Sequence, residues 1–113
     1  MGNCIFCQIV NKEEPADIVF ENEEVLGFKN IHSESPIHYL FVPKKHLEWK
    51  DEFDEKDLAL LSQVVSSAKK VAIEQNVFHA CKFIFNVGKT GHISHIHLHF
   101  LGGWKEKIPM QNI

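Results

Sequence analysis

Three histidines separated by single apolar residues, His95-Ile96-His97-Leu98-His99, followed by Phe100 and Leu101, limit this chain more than any other feature. Strict alternation marks a β-strand, so a strand is expected over His95 to Leu101. His95, His97 and His99 then share one face, spaced by roughly 6.6 Å per pair. Ile96, Leu98 and Phe100 take the other face and need a helix to cover them. Histidine has no special β propensity, and a buried ring must find hydrogen-bond partners. Three readings of the run stand side by side. It is an exposed polar face, a metal site built from His at i and i+2, or a nucleophile with two helpers. No Asp or Glu accompanies the run to complete an open catalytic metal site. The nucleophile reading has a direct chemical basis, because imidazole titrates near neutrality and keeps an unprotonated fraction able to attack. One ring nitrogen must be held by an acceptor so that the other keeps its lone pair. Neighbouring histidines can donate to phosphate oxygens or protonate a leaving group.

The rest of the chain supplies a scaffold for that strand. Ile5, Phe6, Ile9 and Val10 recur at helical spacing and predict a short helix near residues 4–11. Extended stretches follow at Asp17 to Glu21 and Glu24 to Asn30, with a turn at Glu21-Asn22-Glu23. A polar loop from Lys29 to Ile37 leads into a strand at His38 to Val42, ended by Pro43. Asp54 is set to cap a long helix reaching Gln75, with Leu58, Leu61, Val64, Val65, Ala68, Val71 and Ala72 as its apolar stripe. Ala80 to Asn86 is a further strand, joined to the histidine run by Gly88-Lys89-Thr90-Gly91-His92. The expected fold is α+β, a five-stranded antiparallel meander with one long helix and a short N-terminal helix.

Length and charge narrow the function. A chain of 113 residues makes one domain, 1–113, with one modest core. No run approaches the ~20 apolar residues of a membrane span, and the first residues lack a secretory pattern, so a cytoplasmic location is expected. The net charge of −3 argues against a nucleic-acid binder with a broad basic surface. All 12 basic residues are lysines. A phosphate here must be held without a guanidinium fork, by backbone N–H groups, His, Asn or Lys. Cys4, Cys7 and Cys81 suggest no disulfide framework. Cys4-x-x-Cys7 reads as a metal half-site or a redox pair, and Cys81, in phase with Phe83 and Phe85, as core. His38 reads as a surface or strand-end residue, with support of the neighbouring substrate loop as the alternative, and His32 and His79 as loop residues.

The run His95 to Leu101 resembles the signature of the histidine triad superfamily, His-φ-His-φ-His-φ-φ with φ apolar. Ile5-Phe6-x-x-Ile9, Glu14-Pro15-Ala16, Phe20-Glu21, Val42-Pro43-Lys44-Lys45-His46 and Asn86-x-Gly88 follow in family order. Leu101-Gly102-Gly103 most resembles the HINT branch. The resemblance implies hydrolysis of purine nucleoside 5′-phosphoramidates or adenylates, by a homodimer whose two sheets join, with no organic cofactor. It makes His97 the nucleophile, with His99 on the α-phosphate, His95 orienting the site and Asn86 on the phosphate and leaving group. Ile5, Phe6, Ile9, Phe28 and Ile31 would wall the base of an AMP-type ligand. Two departures stand out. Asn30 occupies the place of an Asp expected to accept from the ribose hydroxyls. The loop Gly91-His92-Ile93-Ser94-His95 is one residue shorter than usual, leaving His92 and Ser94 as candidate phosphate contacts.

Many bacterial relatives resemble this chain in a further respect, a zinc ion bound by residues matching Cys4, Cys7, His46 and His95. Two thiolates and two imidazoles would make a closed structural site that ties the N-terminal helix to the sheet. The competing functions are a dinucleoside polyphosphate hydrolase and a nucleotide-binding regulatory module with little turnover.

Overall fold

The computed structural model describes residues 4–88 and 93–104. Helix α1 (Ile5–Val10) precedes strands β1 (Ile18–Glu21), β2 (Val25–Lys29) and β3 (Ile37–Pro43). Helix α2 (Glu55–Glu74), β4 (Cys81–Phe85) and β5 (Leu98–Gly102) complete the order. The five strands form one antiparallel sheet with spatial order β1-β2-β3-β5-β4.

That order corrects the simple meander. Strands β3 and β4 run in the same direction, because each pairs antiparallel with β5. Helix α2 provides the crossover between them, and β5 fills the gap it leaves. The histidine-bearing segment therefore enters the interior of the sheet.

The expected histidine strand is also shorter than its pattern. Ladder pairing begins at Leu98, opposite Phe41 and Phe85, while His95 keeps only an isolated bridge to Glu48. Strand β3 ends at Pro43, which has no N–H to offer. The chain at Ile96 instead donates its backbone N–H to Leu47 at 2.8 Å. Nevertheless Leu98 and Phe100 join Val25, Phe41, Val64, Ala68 and Val71 in the core beneath α2. Ile96 packs with Leu47 and Leu60. On the opposite face Leu26, Phe28, Leu40 and Val42 pack against Phe6 and Ile9 of α1.

Helix α2 starts as expected, with Asp54 and Asp57 making a reciprocal capping box. Its buried stripe is Leu60, Val64, Ser67, Ala68, Val71 and Ala72, with Asp57 buried at its start. Leu58 and Val65, expected in the core, are 56% and 39% exposed. They lie one residue, about 100° of helix, away from buried Asp57 and Val64, so the apolar face is wider than the sheet can cover.

Gly27 pairs with Phe41, and a Cβ there would come within 2.6 Å of the Phe41 ring. That ring is fully buried and cannot step aside. Gly27→Ala is expected to cost about 1–3 kcal/mol of stability, read by urea denaturation; an unchanged midpoint would show that the core has slack at Phe41.

Candidate active site

On the face of the sheet away from α2, a cavity of about 520 Å³ lies between α1, the 14–17 turn, the end of β2 and the histidine segment. Ile5, Phe6, Ile9, Phe28, Leu40 and Ile93 supply its apolar walls, and Asn30, His97 and His99 are among its polar lining. Ile31 also lines it but is 89% exposed, at the mouth rather than in the wall.

The hydrogen bonds of His97 set its tautomer. Only 8% exposed, His97 directs Nδ1 at the backbone oxygen of His95, 2.9 Å away. A carbonyl can only accept, so Nδ1 carries a proton, and in the neutral ring the lone pair stands on Nε2. The Phe6 ring meets the His97 ring edge-on at 5.0 Å, which further fixes its plane.

His99 is set in the opposite sense by a residue that sequence reasoning assigned to a strand end. His38, 4% exposed, accepts at Nδ1 from the backbone N–H of Glu34 at 3.1 Å. That N–H cannot turn away, so Nε2 of His38 carries the ring proton and donates to His99 Nδ1 at 3.0 Å. His99 is left with Nε2–H as a donor. Burial, with His97 and His38 close by, pushes His99 down to about 4. Burial also lowers His38. Both rings are therefore neutral at neutral pH. The signal for His38 was present: it alternates in phase with Leu40 and Val42, on the side of the sheet that also carries His99.

Asn30 is held by the protein itself. Its Oδ1 accepts from the His32 backbone N–H at 2.9 Å, and its Nδ2 sits 3.2 Å from His38 Nε2. With that nitrogen protonated, donor faces donor. A carboxylate could accept from both groups; an amide cannot.

His95 stands outside the cavity lining. Fully buried, it donates from Nε2 to the Pro43 oxygen at 2.8 Å, which leaves Nδ1 unprotonated. That nitrogen lies 3.4 Å from Cys4 Sγ and 3.6 Å from Cys7 Sγ, while His46 Nδ1 is 3.1 Å from Cys7 Sγ. The four donor atoms fall within 4.8 Å of one another. Sulfur and nitrogen ligands of a tetrahedral zinc ion stand about 3.6 Å apart, given ordinary bond lengths. The donor set fits such an ion. Burial, with Cys4 adjacent, pushes the Cys7 thiol up to about 11. A thiolate there calls for a positive partner.

Glu48 was not singled out from the sequence. Its Oε2 lies 2.8 Å from His46 Nε2 and accepts from Ser94 Oγ at 3.1 Å. Those two contacts hold its carboxyl below the usual range. Ser94 thus faces Glu48 and is not part of the cavity lining. Asn86 is exposed and directly follows Phe85, which pairs with Leu98; it leaves β4 beside His97 without joining that lining. His92 lies outside the described residues.

The sheet carries a helix on each face, and in the cavity on the α1 side the His97 and His99 rings meet apolar walls. Residues 3–111 match the family described as scavenger mRNA decapping enzyme, C-terminal binding. Protein HitA of Neisseria gonorrhoeae is 34% identical over 90% of this chain and 97% of its own length. A HIT family hydrolase from Legionella pneumophila superposes with a TM-score of 0.84 at 36% identity, covering 95% of this chain and 98% of that one. A histidine triad protein from Clostridium difficile gives 0.87 at 32%, covering 96% of each. A zinc-bound histidine triad family protein from Mycobacterium smegmatis gives 0.74 at 26%, over 92% of this chain and 77% of that one. The chain belongs to the histidine triad superfamily, and it is a hydrolase of that class.

The depressed His99 and His38 imply a pH dependence of stability. Between about 6.5, their ordinary value, and about 4 for His99, the unfolded chain takes up protons that the folded chain refuses. Stability should therefore fall as pH drops through that window. Urea midpoints from pH 8 to pH 4 test this, with His99→Gln expected to flatten the decline. An equally steep decline in the variant would remove His99 as its source.

Proposed function

We propose that this chain cleaves purine nucleoside 5′-phosphoramidates or adenylates at the α-phosphate, through a nucleotidyl intermediate on His97. The observation that carries the reading is the His97–His95 hydrogen bond, which leaves an unprotonated nitrogen on a ring that lines an apolar cavity. Nε2 of His97 forms a bond to phosphorus as the bond from phosphorus to the leaving nitrogen or oxygen breaks. His99 donates Nε2–H to a phosphate oxygen or to the leaving atom, which takes its proton from solvent at the mouth. Water then displaces the nucleotide from His97 by the same geometry. The purine packs between Ile5, Phe6, Ile9 and Phe28, with Ile31 at the mouth and Asn30 toward the ribose. Asn86, His92 and Ser94 stand close in sequence to that path. Of these Asn86 is the strongest candidate for a phosphate contact.

Residues 1–113 act as one domain in this reading. Cys4, Cys7, His46 and His95 hold a structural zinc ion, a role supported by their donor geometry and by the zinc-bound relative. Those four residues would use such an ion to tie α1 rigidly to the histidine segment, a structural rather than a catalytic role. The three cysteines form no disulfide with one another, which suits a cytoplasmic setting. Strand β4 forms an edge of the sheet, and Leu58 and Val65 leave an apolar stripe on α2. Those features support a homodimer.

Incubation with adenosine 5′-phosphoramidate, a quench in base and mass spectrometry should place AMP on His97. His97→Gln should lower turnover roughly 10³-fold or more while nucleotide still binds. Absence of both adduct and turnover over a broad panel of nucleotides would instead favour a regulatory module. Asn30→Asp relieves the donor clash with His38 and supplies a charged acceptor for ribose. It is expected to raise kcat/KM about fivefold, and more for a ribonucleotide than for its 2′-deoxy form. An equal gain on both sugars would detach Asn30 from the ribose.

A further inference from the structure

We propose that the Cys4, Cys7, His46 and His95 centre, with Glu48 behind it, positions the nucleophile, so that its occupancy sets the reactivity of His97. The inference rests on the functional reading above for the role of His97. Its structural half rests on the hydrogen-bond chain alone.

His95 is shared between the two sites. Its side chain lies between two sulfurs and the Pro43 oxygen, and its own backbone oxygen accepts the Nδ1 proton of His97. Whatever fixes the His95 side chain therefore fixes the acceptor that chooses the His97 tautomer. The sheet does not do this, because ladder pairing begins only at Leu98. His95 has a single bridge to Glu48, and Ile96 a single hydrogen bond to Leu47. Side-chain anchorage must supply what the ladder leaves out.

A second link runs through α1. Cys4 is its N-cap and Cys7 lies in its first turn. Phe6, between them, lies edge-to-face with His97 and with His95, the ring centres 5.0 Å and 6.0 Å apart. Coordination of both thiolates would hold that ring in place against the nucleophile.

Glu48 supplies the third. One carboxylate oxygen engages His46 Nε2 and the hydroxyl of Ser94, the residue immediately before His95. It orients His46 so that Nδ1 faces Cys7, and it pins the approach to His95. Glu48 is not among the residues that line the cavity and is a positioning residue. Such partners of metal ligands typically carry 10–100-fold effects on affinity or activity.

The test compares zinc-loaded protein with protein stripped by a chelator, well below the melting temperature of both. Nitrogen-15 NMR of the histidine rings should report a single Nδ1–H tautomer for His97 when zinc is present and averaging between tautomers after stripping. Turnover should fall about 10–100-fold, with AMP affinity changing much less, so that the loss is in kcat rather than KM. Glu48→Gln should keep its zinc and fold while showing partial averaging at His97 and a severalfold lower kcat. Identical His97 spectra and kcat in loaded and stripped protein, with only the melting temperature lowered, would reduce the centre to a staple and overturn the proposal. Failure to bind zinc at all would overturn it too. A spectral change without turnover on any substrate would uphold the coupling while sinking the functional reading.

Discussion

The alternation of β5 in the interior of the sheet is the constraint on which the site depends. Leu98 and Phe100 are fully buried beneath α2, and a buried aromatic or leucine side chain is worth about 1.5–3 kcal/mol. A strand has only two faces, so seating those two residues sends His99 to the opposite side, with His97 following just outside the ladder. A slip of one residue would place imidazoles against Val64 and Ala68 and expose the apolar set. The hydrophobic core thereby aims the catalytic rings. Helix α1 then closes that second face, supplying Phe6 and Ile9 as the walls of the cavity.

Burial at this face also decides the charge state of His95 and His99. Desolvation disfavours an imidazolium, and His95 is pushed down to about 4 by burial even though its bond to Pro43 works the other way. His99 behaves alike. Neutral rings have one donor and one acceptor each, so every fixed contact on one nitrogen dictates the other. Backbone groups at His95 and Glu34 make those choices, and backbone groups cannot rotate out of them. In its neutral form His97 is an acceptor toward the cavity and His99 a donor, although their side chains are chemically identical.

Much of this was legible beforehand. The period-two run identified the histidines and their apolar backing, Asp54 marked the start of α2, and Cys4-x-x-Cys7 suggested half of a metal site. The family resemblance named His46 and His95 as the other half, and the structure brings all four together. The strand pattern put His38 on the same face as Leu40 and Val42 but could not name its partner, and Glu48 carried no pattern at all. Their roles come from pairings across 61 residues to His99 and 46 residues to Ser94, which local spacing does not encode. Leu58 and Val65 misled for a related reason: helical periodicity reports an apolar face but not how wide a surface awaits it.

The sequence by itself determined which residues alternate, where helices start and which side chains can carry the chemistry, because those properties follow from backbone geometry and from each side chain's own functional groups. Tertiary structure alone decided that β5 lies between β3 and β4, that His95 turns toward the thiols while His97 faces the cavity, and that His38 directs the proton of His99. These depend on which distant groups come within hydrogen-bonding distance, and the folded packing of two helices on one sheet is what brings them there.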